Sequence, residues 1–251
     1  ELYTQYQQNY GIVSTIIGII YILIEIIDFI EMLVNNKKIQ QLENKEKPKE
    51  IKSKDIDVII ATKNEEVEVL EKNIKACLNM EYKEKEKIHI YVCDDGNRIE
   101  VKRLSEKYNI GYITRKDNKD AKAGNYNNAL KYLKSEYILT LDADMCPSTQ
   151  FLKETMYLFE KDKNIGFVQT PQAFYNLDIY QTRFGVKNEI PFDQNFFYHY
   201  MQPAKNATNT VVYCGTNAII LRKALDKIEG FATKTLTEDI ATRNGNRSSR
   251  I

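Results

Sequence analysis

The most apolar stretch of the chain lies at its N-terminus. No charge occurs from Gly11 to Ile24, and apolar residues continue to Val34 around three acids, Glu25, Asp28 and Glu31. A bilayer-spanning helix needs about 20 apolar residues, and the uncharged run is shorter than that. The acids recur three residues apart, so they share one helix face. Two elements fit this pattern: a transmembrane helix whose last turns reach the headgroups or neighbouring helices, or a long amphipathic, self-associating helix. Lys37 and Lys38 follow directly, and basic residues beside a span mark its cytoplasmic side. No basic leader or small-residue cleavage site precedes the run, which argues against a signal peptide. Residues 1–35 are therefore expected to form one N-terminal transmembrane helix. Residues 36–55 are polar and lysine-rich, with Pro48, and read as a charged linker or solvated helix.

After Asp55 short β-branched runs alternate with helical spacing. Strands are predicted at 57–62, 88–93, 111–114, 137–141 and 166–169. Helices are predicted at 66–80, 99–108, 123–133 and 149–160. Such alternation implies a mostly parallel α/β sheet with helices on both faces. Ligands bind such sheets at the carboxyl ends of the strands. The first strand ends in Thr62-Lys63-Asn64-Glu65, the second in Asp94-Asp95-Gly96-Asn97-Arg98, and the fourth in Asp142-Ala143-Asp144. Neighbouring strands lie about 4.8 Å apart, so these acids are expected to share one cleft. They repel one another unless a cation or hydrogen-bond donors compensate.

Composition narrows the chemistry. The chain has 251 residues, 36 Lys+Arg against 35 Asp+Glu, and a net charge of +1. That length fits one large domain or two small ones. The balanced charge argues against a nucleic-acid binder. With only His89 and His199, a multi-histidine metal site is excluded and a Ser-His-Asp hydrolase is disfavoured. Cys77, Cys93, Cys146 and Cys214 form no C-x-x-C pair and are expected to be reduced, buried thiols. Carboxylates without His or Cys favour Mg²⁺ or Mn²⁺, commonly completed by substrate phosphates. Asp142 and Asp144 alternate along an extended chain end, so one can hold a metal directly and the other through water or ribose. Alone, such a D-x-D is weak; its position after an apolar strand strengthens it.

Lys122-Ala123-Gly124-Asn125 opens a helix, where a lysine and a glycine suit an anion. The glycine spacings of a Walker loop or a dinucleotide fingerprint are missing, and a nucleotide-sugar diphosphate fits better than NAD or ATP. Thr237-Glu238-Asp239 places an acid pair at a predicted helix start. The pair serves either as a cap or as a general base for a sugar hydroxyl.

The ordered set Thr62–Glu65, Asp94–Gly96, Lys122–Asn125, Asp142–Asp144, Gln169-Thr170-Pro171, Cys214–Asn217 and Thr237–Asp239 resembles the family 2 glycosyltransferases, in particular processive synthases of the cellulose-synthase type. The resemblance covers residues 55–242, and the motifs are specific through their order. It implies a GT-A (Rossmann-like) nucleotide-sugar-binding domain over 56–242, an inverting mechanism and a UDP-sugar donor. By the same resemblance, Thr62, Asn64, Glu65, Asp94, Asp95, Lys122, Asn125 and Asp142 would bind the nucleotide sugar. Asp142 and Asp144 would hold the metal, Gln169, Thr170, Gly215 and Thr216 would border the acceptor, and Asp239, with Glu238, would act as the base. The implied partners are a UDP-sugar, a polysaccharide acceptor, the membrane and other synthase-complex subunits; the implied location is the cell membrane, with a cytoplasmic catalytic domain. The alternatives are a synthase using UDP-N-acetylglucosamine and an inactive nucleotide-binding fragment. Ala61 and Lys63 depart from the family's P-T-Y-N-E form, which affects pocket packing. Residues 243–251 read as an aberrant polar tail, as from a frameshift or truncated frame. The chain starts with Glu and reads as a piece of a longer product. It contains no Trp, hence no Gln-x-x-Arg-Trp motif to stack the acceptor.

Overall fold

The computed structural model describes residues 2–42, 51–176, 179–185 and 195–234. The first element, α1 (Leu2–Leu42), is broken at Gly11, whose φ of 74° and ψ of 173° are not helical. Gly11–Lys37 is long and apolar enough to cross a membrane, and its apolar side chains are almost all exposed. The helix continues to Leu42 and so takes in residues 36–42 of the expected linker.

Five strands follow the sequence expectation to within a residue: β1 (Ile56–Thr62), β2 (Ile88–Asp94), β3 (Gly111–Thr114), β4 (Tyr137–Asp142) and β5 (Phe167–Gln169). The intervening helices are α2 (Val67–Leu78), α3 (Ile99–Lys107), α4 (Ala121–Leu130) and α5 (Phe151–Lys161). Beyond them come α6 (Ile179–Phe184), α7 (Gln202–Asn206), β6 (Ala218–Leu221) and α8 (Arg222–Asp226). A wider helical turn, Phe197–Met201, leads into α7.

The sheet order is β3-β2-β1-β4-β6-β5. The first four strands are parallel, while β6 runs antiparallel to both β4 and β5. β6 is an addition to the sequence expectation. Ile56, Val58, Ile59 and Ile60 of β1 expose no surface. Each such burial contributes roughly 1.5–3 kcal/mol, which suits β1 to the sheet centre. Side chains alternate between faces. Val58 and Ile60 pack with α2, α3 and α5 in one core, and Ile59 and Ala61 pack with α4 and α8 in the other.

The cysteine expectation needs one correction. All four are free, and Cys77 and Cys93 are buried, but Cys146 is exposed and Cys214 half-buried. Cys146 sits past the end of β4, where the chain has left the sheet. Asp239, Glu238 and the tail 243–251 lie outside the described residues.

Candidate active site

Strand register sets the site. Ala61 stands beside Asp142 across β1 and β4, Thr62 beside Asp94 across β1 and β2, and Asp94 beside Thr114 across β2 and β3. The chain proceeds outward from β1 to β2 and β3, then returns to β4 on the other side of β1. The crevice between the carboxyl ends of β1 and β4 is therefore the switch point where open α/β sheets bind ligands.

At the end of β1, Glu65 folds back on its own turn. Its Oε2 accepts from the Thr62 hydroxyl (2.8 Å) and from the N–H groups of Lys63 (2.7 Å) and Asn64 (3.2 Å). Burial works to raise this carboxyl, but these donors outweigh it and hold it below the usual range. Asn64 itself is exposed.

Asp94 is fully buried. Its Oδ1 accepts from the Gly96 N–H (2.9 Å) and Arg98 Nε (3.3 Å), and its Oδ2 from the Arg98 N–H (2.7 Å) and the Tyr112 hydroxyl (3.1 Å). Burial, followed by the Asp94 charge, pushes Tyr112 up to about 12. Arg98 then reaches the Glu65 carbonyl (2.6 Å) and the Thr62 hydroxyl (2.7 Å). Asp94 and Arg98 thus tie the ends of β1 and β2 together. Gly96 permits this closeness, because a Cβ there would stand 2.3 Å from the Lys63 carbonyl oxygen.

Asp95 is gripped in bidentate fashion by Arg115, with both contacts at 2.7 Å. The same guanidinium donates to the carbonyls of Lys119 (2.6 Å) and Ala121 (2.8 Å), and its bond to Asp95 raises its own pKa. It staples a strained turn, in which Asp120 and Ala121 adopt φ of 60° and 44°. Left-handed backbone costs an L-residue about 1–2 kcal/mol. Gly124 lets the turn close on α4, since its Cβ would lie 2.1 Å from the Lys119 carbonyl oxygen.

Lys122, in the first turn of α4, points to Asp142, with Nζ 3.0 Å from Oδ1 and 3.3 Å from Oδ2. Burial raises the Asp142 carboxyl; Lys122 pulls it down, and Asp144 and Glu65 push it up. Asn125 donates to the Cys93 carbonyl at 2.8 Å. Its buried Oδ1 has no hydrogen-bond partner among the described residues. Asp144 is exposed and makes no hydrogen bond among them.

Three further clamps hold this edge. Asn73 of α2, fully buried, donates to the carbonyls of Asp142 (2.7 Å) and Ala143 (3.3 Å). The Thr216 hydroxyl accepts from the Asp142 N–H at 2.9 Å. Gln169 spans the Thr216 carbonyl (2.9 Å) and the Cys214 N–H (2.9 Å), while the Thr170 hydroxyl donates to the Asn217 carbonyl at 2.8 Å. Gly215 makes that turn at φ 74°. Gln169, Thr170, Gly215 and Thr216 thus form one stitched unit. A cleft of about 490 Å³ opens alongside, lined by Asp144, Cys146, Phe151, Thr170, Tyr175 and Asn217 among others.

The structure brings Thr62, Glu65, Lys122 and Asp142 together at the switch point. It commits Asp94 and Asp95 to arginines. Sequence reasoning missed Asn73, Arg98, Arg115 and Asn127. Asn127 of α4 brackets Phe231 through its N–H and carbonyl, both at 2.8 Å, just upstream of the acid pair at 238–239. Only Arg98, four residues after Asp94, lies close in sequence to its carboxylate; Asn73, Asn127 and the Arg115–Asp95 pair join positions 20 or more residues apart.

A mixed sheet, parallel across β3-β2-β1-β4, with a carboxylate, a lysine and a helix N-terminus at its switch point has the architecture of an α/β ligand-binding domain. The chain belongs to glycosyl transferase family 2, whose description matches residues 57–229. It is 41% identical over 157 residues to the cellulose synthase 1 catalytic subunit [UDP-forming] of Komagataeibacter xylinus, a stretch that is 62% of this chain and 21% of that protein. It is 35% identical over 176 residues to the cellulose synthase catalytic subunit [UDP-forming] of Pseudomonas fluorescens, covering 70% of this chain and 24% of that one. The chain therefore matches about a quarter or less of these relatives' lengths. Its fold resembles that of the mannosyltransferase PcManGT from Pyrobaculum calidifontis, solved with GDP-Man and Mn²⁺. The TM-score is 0.65 at 18% identity, over 88% of this chain and 61% of that one. S. aureus TarS 1–349 with UDP-GlcNAc gives a TM-score of 0.55 at 16% identity, over 76% and 53%. These likenesses support the GT-A fold.

Proposed function

We propose that this chain is the donor-binding and catalytic part of a membrane-anchored transferase that moves a hexose from a UDP-sugar to a growing β-linked polysaccharide with inversion. The observation that carries the reading is the Lys122–Asp142 pair at the switch point, with Asp144 open beside it and the cleft adjoining. In this reading the Thr62–Glu65 turn lines the nucleotide pocket, and the Arg115-bound Asp95 supports it from behind. Lys122 and the α4 N-terminus turn to the diphosphate, and the Asn125 Oδ1 is a spare acceptor. The cleft beside Gln169–Thr170 and Gly215–Thr216 takes the acceptor.

The donor set suits Mg²⁺ or Mn²⁺. Asp142 and Asp144 offer hard oxygens, and no cluster of three metal-binding side chains occurs among the described residues. Such a set is completed by substrate phosphates. When bound, the cation neutralises charge on the departing UDP. Asp239, beside Glu238, takes the proton from the acceptor hydroxyl as its oxygen attacks the anomeric carbon. The bond to UDP breaks in the same displacement, which inverts the centre. Gly11–Lys37 is the membrane span, with the domain on the cytoplasmic side.

Calorimetry with UDP and Mn²⁺ on the full chain, paired with a UDP-release assay, tests the reading. Asp239→Asn should abolish transfer yet retain UDP binding. Loss of UDP binding in that variant would make Asp239 structural. A wild-type chain that bound no UDP with metal present would sink the assignment. Turnover of UDP-glucose against UDP-N-acetylglucosamine identifies the sugar.

A further inference from the structure

We propose that Phe196 and Tyr200 form a second membrane contact, an aromatic foot that rests at the headgroup level beside α1. The inference depends on α1 being a membrane span. The Tyr200 hydroxyl donates to the Met32 carbonyl at 2.8 Å, which fixes the 196–201 turn against the end of the span. Met32 precedes Lys37 by five residues, about 7.5 Å along a helix at 1.5 Å per residue. Counted from the other end, about 20 residues past Gly11 complete a hydrocarbon core of about 30 Å, and Met32 stands at its edge. Interfacial elements bury their apolar faces about 5–10 Å into this boundary, where tyrosine is enriched.

The surface has the matching chemistry. The rings of Phe196 and Tyr200 stack with centroids 4.9 Å apart and planes 20° apart. Phe196 is 62% exposed and Met201 38%. Residues 195–207 contain no acid, but do contain His199 and Lys205, so an anionic leaflet does not repel them. A single exposed Phe is ordinary on a soluble surface; this one is held at the depth of the span. The foot is also tied to the domain. Tyr198 is buried, and the Gln202 amide brackets Val212, accepting from its N–H at 2.9 Å and donating to its carbonyl at 2.7 Å. The contact therefore fixes the height of the catalytic edge above the membrane.

The absence of Trp makes single-Trp variants clean probes. Ile19→Trp, Phe196→Trp and Tyr132→Trp are each made in the full chain and reconstituted in phosphatidylcholine–phosphatidylglycerol vesicles, with or without brominated acyl chains. Tyr132 is exposed and lies in the connection from α4 to the start of β4. Emission at 19 and 196 should be lost to bromine, and that at 196 most with bromines near the headgroup; emission at 132 should persist. Quenching at 19 but not at 196 overturns the foot and leaves the span intact. A blue-shifted, unquenched signal at 196 means that protein covers the patch, and also overturns it. No quenching at 19 removes the span and the foot with it.

Discussion

Replacing Asp94 by Asn separates an architectural carboxylate from a ligand-binding one. The side chain is fully buried and accepts four hydrogen bonds, two on each oxygen. An amide keeps one oxygen and turns the other into a donor. The Tyr112 hydroxyl can rotate to accept from the new NH₂, but the Arg98 N–H cannot. A buried donor left unpaired costs about 1–3 kcal/mol. Arg98, whose side chain is 16% exposed, also loses its counter-charge, and breaking a buried pair costs about 3–5 kcal/mol. The two costs overlap, because both arise from Arg98, so a loss of about 3–4 kcal/mol is expected. Urea unfolding in detergent, followed by near-ultraviolet dichroism, measures it. With a slope of about 2 kcal/mol per molar, the midpoint falls by roughly 1.5–2 M. The folded variant should bind UDP as wild type does. A loss below about 1 kcal/mol together with lost UDP binding would refute the reasoning and return Asp94 to the nucleotide pocket.

Lys122→Met removes the cation that pulls the Asp142 carboxyl down. The acid limb of Mn²⁺–UDP binding should move to higher pH, and affinity at mildly acidic pH should fall about tenfold, or about 1.4 kcal/mol; calorimetry across pH checks both. Asn73→Ala strips the amide from the carbonyls of Asp142 and Ala143. It should cost about 2–3 kcal/mol in thermal unfolding and weaken Mn²⁺–UDP binding by loosening the loop. A thiol reagent on the native chain should modify Cys146 and spare Cys77 and Cys93, whose thiols burial pushes far up. Mass mapping before and after denaturation reads this directly. Because burial also raises Cys146, its rate should climb as the solution becomes alkaline.

The parallel half of the sheet was legible because each strand is a short β-branched run punctuated by polar residues. DVIIAT and YILTL are buried on both faces, and their carboxylate-bearing ends follow from direction alone. β6 escaped notice because Ala218–Leu221 breaks the strand–helix alternation, pairing antiparallel with β4 some eighty positions earlier. The motif residues were recognised as a set, but motif order does not say which acid faces a ligand and which is consumed by the scaffold. That depends on Arg98 and Arg115. Arg115 finds Asp95 only because β2 and β3 end side by side, a fact of register. The exposure of Cys146 was misjudged because its apolar neighbours Met145 and Pro147 look like core, whereas the chain there has left the sheet.

α4 carries Lys122 in its first turn and Asn127 five residues on, about 7.5 Å along its axis. The lysine meets the carboxylate at the proposed donor end; the asparagine grips Phe231, the last buried residue among those described. One helix therefore joins the proposed donor side of the site to the segment that leads toward the proposed base. A tilt of α4 displaces both together, so substitutions in its buried face, such as at Tyr126, will change binding and turnover jointly and not one at a time.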